Sequence, residues 1–240
     1  MGIIVPAILP VSREDLEQKL DILDGVCEEV QVDIVDGVYA SPKTWPYTRD
    51  ASEPSRMLAE GEFLPKAGRF RIEIDLMSGD PESVAGTWIG LGAARLTIHA
   101  QSTRYLPRFL ASTRSLYGHD KEFESDLLSL GLALGAETDL SLIEPYIDKI
   151  DYVQFMGIRT IGRQGEPFDM RTVAKVRAFR KKYPKTPVQV DGGITLKNAA
   201  ELLDAGVSRL IVGSAIWRAE NPLDAYRALN TLTEQHGLYA

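Results

Sequence analysis

Eight short apolar runs, separated by longer stretches of mixed polarity, set the tightest limit on what this chain can fold into. They are IIVPAIL (3–9), VQVDIV (30–35), RIEIDLM (71–77), RLTIHA (95–100), GLALGA (131–136), DYVQFM (151–156), PVQVDG (187–192) and RLIVGS (209–214). Each has the length of a strand, and the stretches between them are long enough for helices. Strands alternating with helices are joined as parallel neighbours through crossover connections. Eight such units in 240 residues match the size of a closed (β/α)8 barrel with parallel strands. A doubly wound open sheet is the structural rival, since it has the same alternation. No shift in composition and no Gly/Ser/Pro-rich linker divides the chain, so residues 1–240 are expected to form a single barrel domain.

The clearest helical segment is TLKNAAELLDAG (195–206). There Leu196, Ala199, Ala200 and Leu203 are expected to share one apolar face, with Thr195 as N-cap and Gly206 as the stop. MRTVAKVRAFRKKY (170–183) and NPLDAYRALNTL (221–232) read alike, the second with Pro222 in its first turn. Residues 39–69 form the longest irregular connection, after the second strand. In a barrel that connection rises from the catalytic face, where a long loop serves as a lid or an interface.

Charge and cysteine content narrow the function classes. With 27 Lys+Arg against 34 Asp+Glu, the net charge of −7 gives no global basic surface for nucleic acid. A local basic pocket for a phosphorylated metabolite remains open. No apolar run approaches the ~18 residues that a membrane-spanning helix needs. The apolar start MGIIVPAILPVSRED lacks a basic leading region and reads as a first buried strand rather than a signal peptide. The lone Cys27 excludes an internal disulfide and fits a reducing compartment, so a cytoplasmic protein is expected.

The last two units carry most of the chemistry. VDGGIT sets Gly192 and Gly193 directly after the seventh strand, and VGSAIW sets Gly213 and Ser214 after the eighth, ahead of a helix. In barrels of this size, these two loops commonly hold a phosphate: glycine lets backbone N–H groups approach its oxygens. VQVD also occurs twice, ending on Asp33 and on Asp191, which places an acid at the end of two strands far apart in the chain.

The segment VQVDGGITLKNAAELLDAGVSRLIVGSAIW resembles the C-terminal signature of the ribulose-phosphate 3-epimerase family. VPAILP, VQVDIVDG, IDLMSGDPES and YVQFMGIRTIGRQGEPF extend the resemblance collinearly over nearly the whole chain. The resemblance implies a (β/α)8 barrel that interconverts D-ribulose 5-phosphate and D-xylulose 5-phosphate. Asp33 and Asp191 would be the acid/base pair on the two sides of C3, and a divalent metal would stabilise the enediolate. A proton α to a carbonyl is weakly acidic, so its removal needs both a placed base and an electrophile. By the same resemblance Gly162, Gly165, Gly192, Gly193, Gly213 and Ser214 cradle the phosphate, Phe168 closes the sixth loop, and Met77 and Met156 line the sugar site. Asp36 is expected to be structural, holding the turn before Gly37.

The chain departs from the family pattern at the metal. The two histidine ligands fall on Gln31 and Asp75, the serine of the first strand on Ala7, a methionine of the second on Val35, and the loop glutamine on Glu166. Of His99, His119 and His236, none falls on a ligand position; His99 matches a family histidine that is not a ligand, and the other two read as surface residues. Asp33, Asp75 and Asp191 in one barrel mouth would repel one another unless protonated or neutralised. Gln31 with the three aspartates forms an all-oxygen set that suits Mg²⁺, Mn²⁺ or another oxygen-preferring ion. The other route is arginine: Arg159 or Arg163, in the loop after the sixth strand, could pair with Asp75, bind the phosphate or replace the metal.

Three readings follow: an epimerase acting on a small phosphorylated sugar; an isomerase or lyase of different specificity on the same barrel; and a phosphosugar-binding homologue without catalysis. Family barrels often assemble, so a homo-oligomer is a further expectation, with Trp45, Tyr47 and Trp88 as interface, core or lid residues.

Overall fold

In the computed structural model, which describes residues 2–117 and 128–239, eight parallel strands close into a barrel. The strands are β1 (Ile3–Ile8), β2 (Glu29–Val35), β3 (Arg71–Met77), β4 (Arg95–His99), β5 (Ser129–Leu134), β6 (Tyr152–Met156), β7 (Val188–Asp191) and β8 (Arg209–Val212). Each pairs with its sequence neighbours, and β1 closes on β8 with Ile3 opposite Arg209. Closure removes both sheet edges and excludes the doubly wound alternative.

The helices are α1 (Arg13–Leu23), α2 (Glu53–Ala59), α3 (Pro81–Gly90), α4 (Leu106–Tyr117), α5 (Arg171–Lys182), α6 (Ala199–Asp204), α7 (Ser214–Trp217) and α8 (Pro222–Tyr239). Local chemistry starts them. Ser12 accepts from the Asp15 backbone N–H at 3.1 Å, while the Asp15 carboxylate accepts from Val11 N at 3.0 Å, a reciprocal cap for α1. Alternation lapses once: only 3₁₀ turns at Leu140–Leu142 and Glu144–Lys149 lie between β5 and β6. The 39–69 connection also contains α2 and so is less irregular than its sequence suggests. The helix expected from residue 196 begins at Ala199 instead. Asn198 is the N-cap residue and Leu196 is exposed, so the buried face is Ala199, Leu202 and Leu203. Gly206 does stop that helix, with φ +94°.

The main apolar core is a sleeve between strands and helices, built from alternate strand residues such as Val30, Val32 and Ile34 of β2 and Ile72, Ile74 and Leu76 of β3. Trp45 and Trp88 meet edge-to-face within it, 5.7 Å between centroids, which makes them core residues rather than interface. Inside the barrel the apolar share shrinks to a small cluster of Val5, Ala7 and Ile211. Many of the other inward positions are polar: Gln31, Glu73, Thr97, Gln154 and Gln189 are all fully buried. One inward ring, that of Tyr152, fits because β5 carries Gly131 beside it; a Cβ there would lie 2.1 Å from the ring.

Among the described residues, no helix is long and apolar enough to cross a membrane. Cys27 is a free, partly buried thiol, pushed up to about 12 by burial. His119 lies outside the described residues.

Candidate active site

The C-terminal ends of β2, β3 and β7 bring Asp33, Asp75 and Asp191 together. One oxygen from each lies within 4.8 Å of one from each of the others, and all three side chains are buried. Register accounts for the meeting: Asp33 is opposite Asp75 across β2–β3, and Asp191 is opposite Met156 across β6–β7. Thr44 splices the end of β2, donating to Asp33 O at 2.8 Å and accepting from Val35 N at 2.8 Å, which fixes the strand where Asp33 sits. Asp36 accepts from Val38 N, Tyr39 N and Gly79 N, the structural turn role expected of it.

Each acid has its own surroundings. Gln31, two residues before Asp33 and on the same strand face, donates to Asp33 Oδ1 at 2.9 Å. Asp75 Oδ1 lies 3.1 Å from His99 Nε2, and Asp75 Oδ2 accepts from Gln154 Nε2 at 3.0 Å. Burial, then the neighbouring Asp191 and Asp75, pushes the Asp33 carboxyl well above its ordinary range; Gln31 opposes weakly. Asp191 is likewise raised, by burial first and then by Asp75 and Glu73. Among the described residues, no arginine or lysine donates to any of the three. The donor set does fit a hard cation: Gln31 Oε1 is a buried acceptor without a partner beside three carboxyls, and all these atoms are oxygens.

Above the acids opens a pocket lined by Ala7, Asp33, Met77, Met156, Arg163, Asp191 and the turn residues Gly162, Gly165, Gly192, Gly193, Gly213 and Ser214. Gln31 and Asp75, both fully buried, do not line it. Gly193 shows why this wall needs glycine: at φ +71°, a Cβ would stand 2.8 Å from the Phe168 Cα. Gly213 and Ser214, at the start of α7, complete the wall. Across the mouth, Arg163 Nε donates to Ser41 O at 3.3 Å and joins the loop after β6 to the loop after β2.

Neither arginine meets Asp75. Arg159 points outward, its Nε 3.3 Å from Asp169, and lines a separate shallow surface depression; Arg163 reaches the rim only. The loop directs both away, and Asp75 takes its donors from within the barrel instead. His99 is buried at Asp75 and His236 pairs with Asp204 at 2.7 Å on the surface. Sequence reading missed three contributors. Gln164 lines the pocket and donates to Ala7 O at 3.2 Å, and Arg218 holds the Gln164 carbonyl at 2.8 Å. Gln154 sits two residues before Met156, as Gln31 does before Asp33, and that spacing was the available signal.

A sequence profile described as the ribulose-phosphate 3 epimerase family matches residues 3–217. The chain is 28% identical over 235 residues to ribulose-5-phosphate-3-epimerase, chloroplastic, of Arabidopsis thaliana, covering 95% of this chain and 75% of that protein. It is 24% identical over 231 residues to ribulose-phosphate 3-epimerase of Synechocystis sp., covering 93% and 90%. A crystal structure of KGPDC from Streptococcus mutans superposes with a TM-score of 0.69 over 98% of both chains at 15% identity, a likeness of fold.

Proposed function

The chain belongs to the ribulose-phosphate 3-epimerase family, enzymes that act on carbohydrate phosphates, and on that premise we propose that it moves the proton at C3 of a ketose phosphate, interconverting ribulose 5-phosphate and xylulose 5-phosphate. The observation that carries the reading is the pairing of Asp33 and Asp191, from strands far apart in sequence, at the base of one pocket walled by glycine turns.

The chemistry follows from their shared burial. Two close carboxyls that both resist ionisation favour a state with one proton between them. Such a pair has one member ready to take the C3 proton and another ready to return one to the opposite face. Met77 and Met156 present apolar surface to the sugar and exclude water. The turns at Gly192–Gly193 and Gly213–Ser214, with Gly162 and Gly165 opposite, offer backbone N–H groups to the phosphate. Gln31, Asp33, Asp75 and Asp191 would hold a divalent cation such as Mn²⁺ or Mg²⁺, and that ion supplies positive charge to the enediolate oxygens when bound.

The test is deuterium exchange at C3 of ribulose 5-phosphate in D₂O, followed by NMR with and without Mn²⁺ or Mg²⁺. Exchange with appearance of xylulose 5-phosphate is the expected result, and its response to the ion tests the oxygen donor set. Folded protein that gives no exchange under either condition would overturn the assignment and leave another isomerase or lyase reaction, or binding alone, on this barrel.

A further inference from the structure

Between the acids of the mouth and the floor of the barrel runs a file of buried polar side chains that the proton transfer does not use. It begins with Arg95 and Arg209. Arginine only donates, so Gln189 turns its carbonyl toward them: Oε1 accepts from Arg95 Nη2 and from Arg209 Nε, each at 3.1 Å. The Gln189 amide nitrogen therefore faces the other way, donating to Glu73 Oε1 at 2.5 Å and to Gln154 Oε1 at 2.6 Å. With its carbonyl committed to Gln189, Gln154 directs its own nitrogen upward to Asp75 Oδ2 at 3.0 Å, beside Met156 Sδ at 3.4 Å. Each amide has one way round. Reversed, Gln189 would aim N–H groups at two guanidinium groups, and Gln154 would aim a carbonyl at a carboxyl.

We propose that Gln189 and Gln154 are positioning residues that transmit the donor polarity of the two floor arginines to Asp75, fixing how its carboxylate is presented to a divalent cation. This rests on the cation reading given above. Gln154 grips one oxygen of Asp75 and His99 the other, so rotation of the carboxyl group is blocked from both sides. Partners one step behind a metal ligand commonly set ten- to hundred-fold of the affinity for the ion. Gln189 touches neither the pocket nor Asp75, which makes any effect of it on the ion a property of the file.

Gln189→Glu is the discriminating variant. Held ionised by Arg95 and Arg209, the new carboxylate sets acceptors against Glu73 Oε1 and Gln154 Oε1, so the Gln154 amide turns over and shows its carbonyl to Asp75. The added negative charge alone would tighten cation binding, whereas the relay predicts weakening by about ten-fold or more in the Mn²⁺ Kd measured by EPR. Gln189→Met removes the amide without inverting its neighbour and is expected to stay within about three-fold, while Gln154→Met should lose about ten-fold. In metal-free protein, the Gln154 side-chain amide protons should show an NOE to the Met156 methyl that Gln189→Glu abolishes. An NOE that persists in folded Gln189→Glu, or a tightened Kd there, overturns the proposal. If Gln189→Glu does not fold, Gln154→Met decides: a wild-type Kd with an unchanged Tm overturns the proposal. Failure of the wild type to bind Mn²⁺ would sink the cation reading, and the NOE would still report whether the two amides are coupled.

Discussion

At the floor of the barrel one buried carboxyl, Glu73, is paired with two guanidinium groups; at the mouth three buried carboxyls are paired with none among the described residues. Arg95 Nε reaches Glu73 at 2.9 Å and Arg209 Nη2 at 3.2 Å, while Thr97 and Gln189 add hydrogen bonds. Burial alone would push the Glu73 carboxyl up, and the arginines outweigh it, holding the group below its ordinary range. At the mouth the same burial goes uncompensated, and Asp33 and Asp191 rise instead. On the proposed function, the contrast separates a carboxyl kept for structure, which is neutralised within the fold, from carboxyls kept for chemistry. The latter leave a place for a proton or a cation to arrive from outside.

Exchanging an acid for its amide should therefore act in opposite directions at the two ends. The largest expected effect is on turnover: Asp33→Asn or Asp191→Asn should lower C3 exchange by ~10³-fold, within the usual range for removing a general acid or base. The same Asp33→Asn, by relieving repulsion, should raise the Tm of the metal-free protein. At the floor, Glu73→Gln removes the buried negative charge between Arg95 and Arg209 and leaves Glu29 as the acid partner of Arg209, with an expected loss of about 3 kcal/mol, or ~10 °C in Tm for a domain of this size. A lower Tm for Asp33→Asn, or an unchanged one for Glu73→Gln, would break the comparison.

Acidity sharpens it further. For Asp33 and Asp191 the folded state holds its protons to higher pH than the unfolded chain, so their ionisation removes stability as pH rises above the ordinary carboxyl range. Glu73 has the opposite sign: its contribution is present above that range and lost as pH falls through its lowered value. The metal-free protein should accordingly gain Tm from pH 8 toward pH 5 and lose it on further acidification, as scanning calorimetry would show. Mn²⁺ at about 100 times its Kd should add ~2.7 kcal/mol. At one fixed Mn²⁺ concentration the gain should be greater at pH 8 than at pH 5, because protons compete for the same oxygens. A metal-induced shift independent of pH would argue that the ion sits elsewhere.

The smallest effect should come from Arg159→Ala. This side chain lies outside the pocket, and KM is expected to change less than about two-fold. Arg163→Ala, at the rim, should raise KM more. Equal effects in steady-state kinetics would erase the distinction between the two loop arginines.

The strands, their parallel succession and the glycine turns were legible from sequence because they depend on periodicity and local backbone chemistry, whereas closure was not, since an open doubly wound sheet shares the same alternation. The eight apolar runs lie within about two residues of the observed strands, and the turn residues after β6, β7 and β8 all reach one pocket. Helix starts were less legible: Leu196 looked like part of an apolar face, but the helix begins only after Asn198, whose Oδ1 accepts from Thr195 N, and the preceding turn leaves Leu196 in solvent. Within the site, Asp33 and Asp191 could be picked out because each closes a Val-Gln-Val-Asp run, although β2 continues two residues past Asp33. The partner of Asp75 could not. His99 and Gln154 lie 24 and 79 residues away from it, and only closure of the barrel brings them to its two oxygens.

The repeated Val-Gln-Val-Asp spelled out the alternation of a strand whose glutamine and aspartate face inward together, and VQFM on β6 has the same phase. That much is local, fixed by the two-residue period of any strand. Which inward groups would meet depends on the register of eight strands from end to end. Only tertiary structure could decide that the floor acid finds two arginines while the mouth acids find one another.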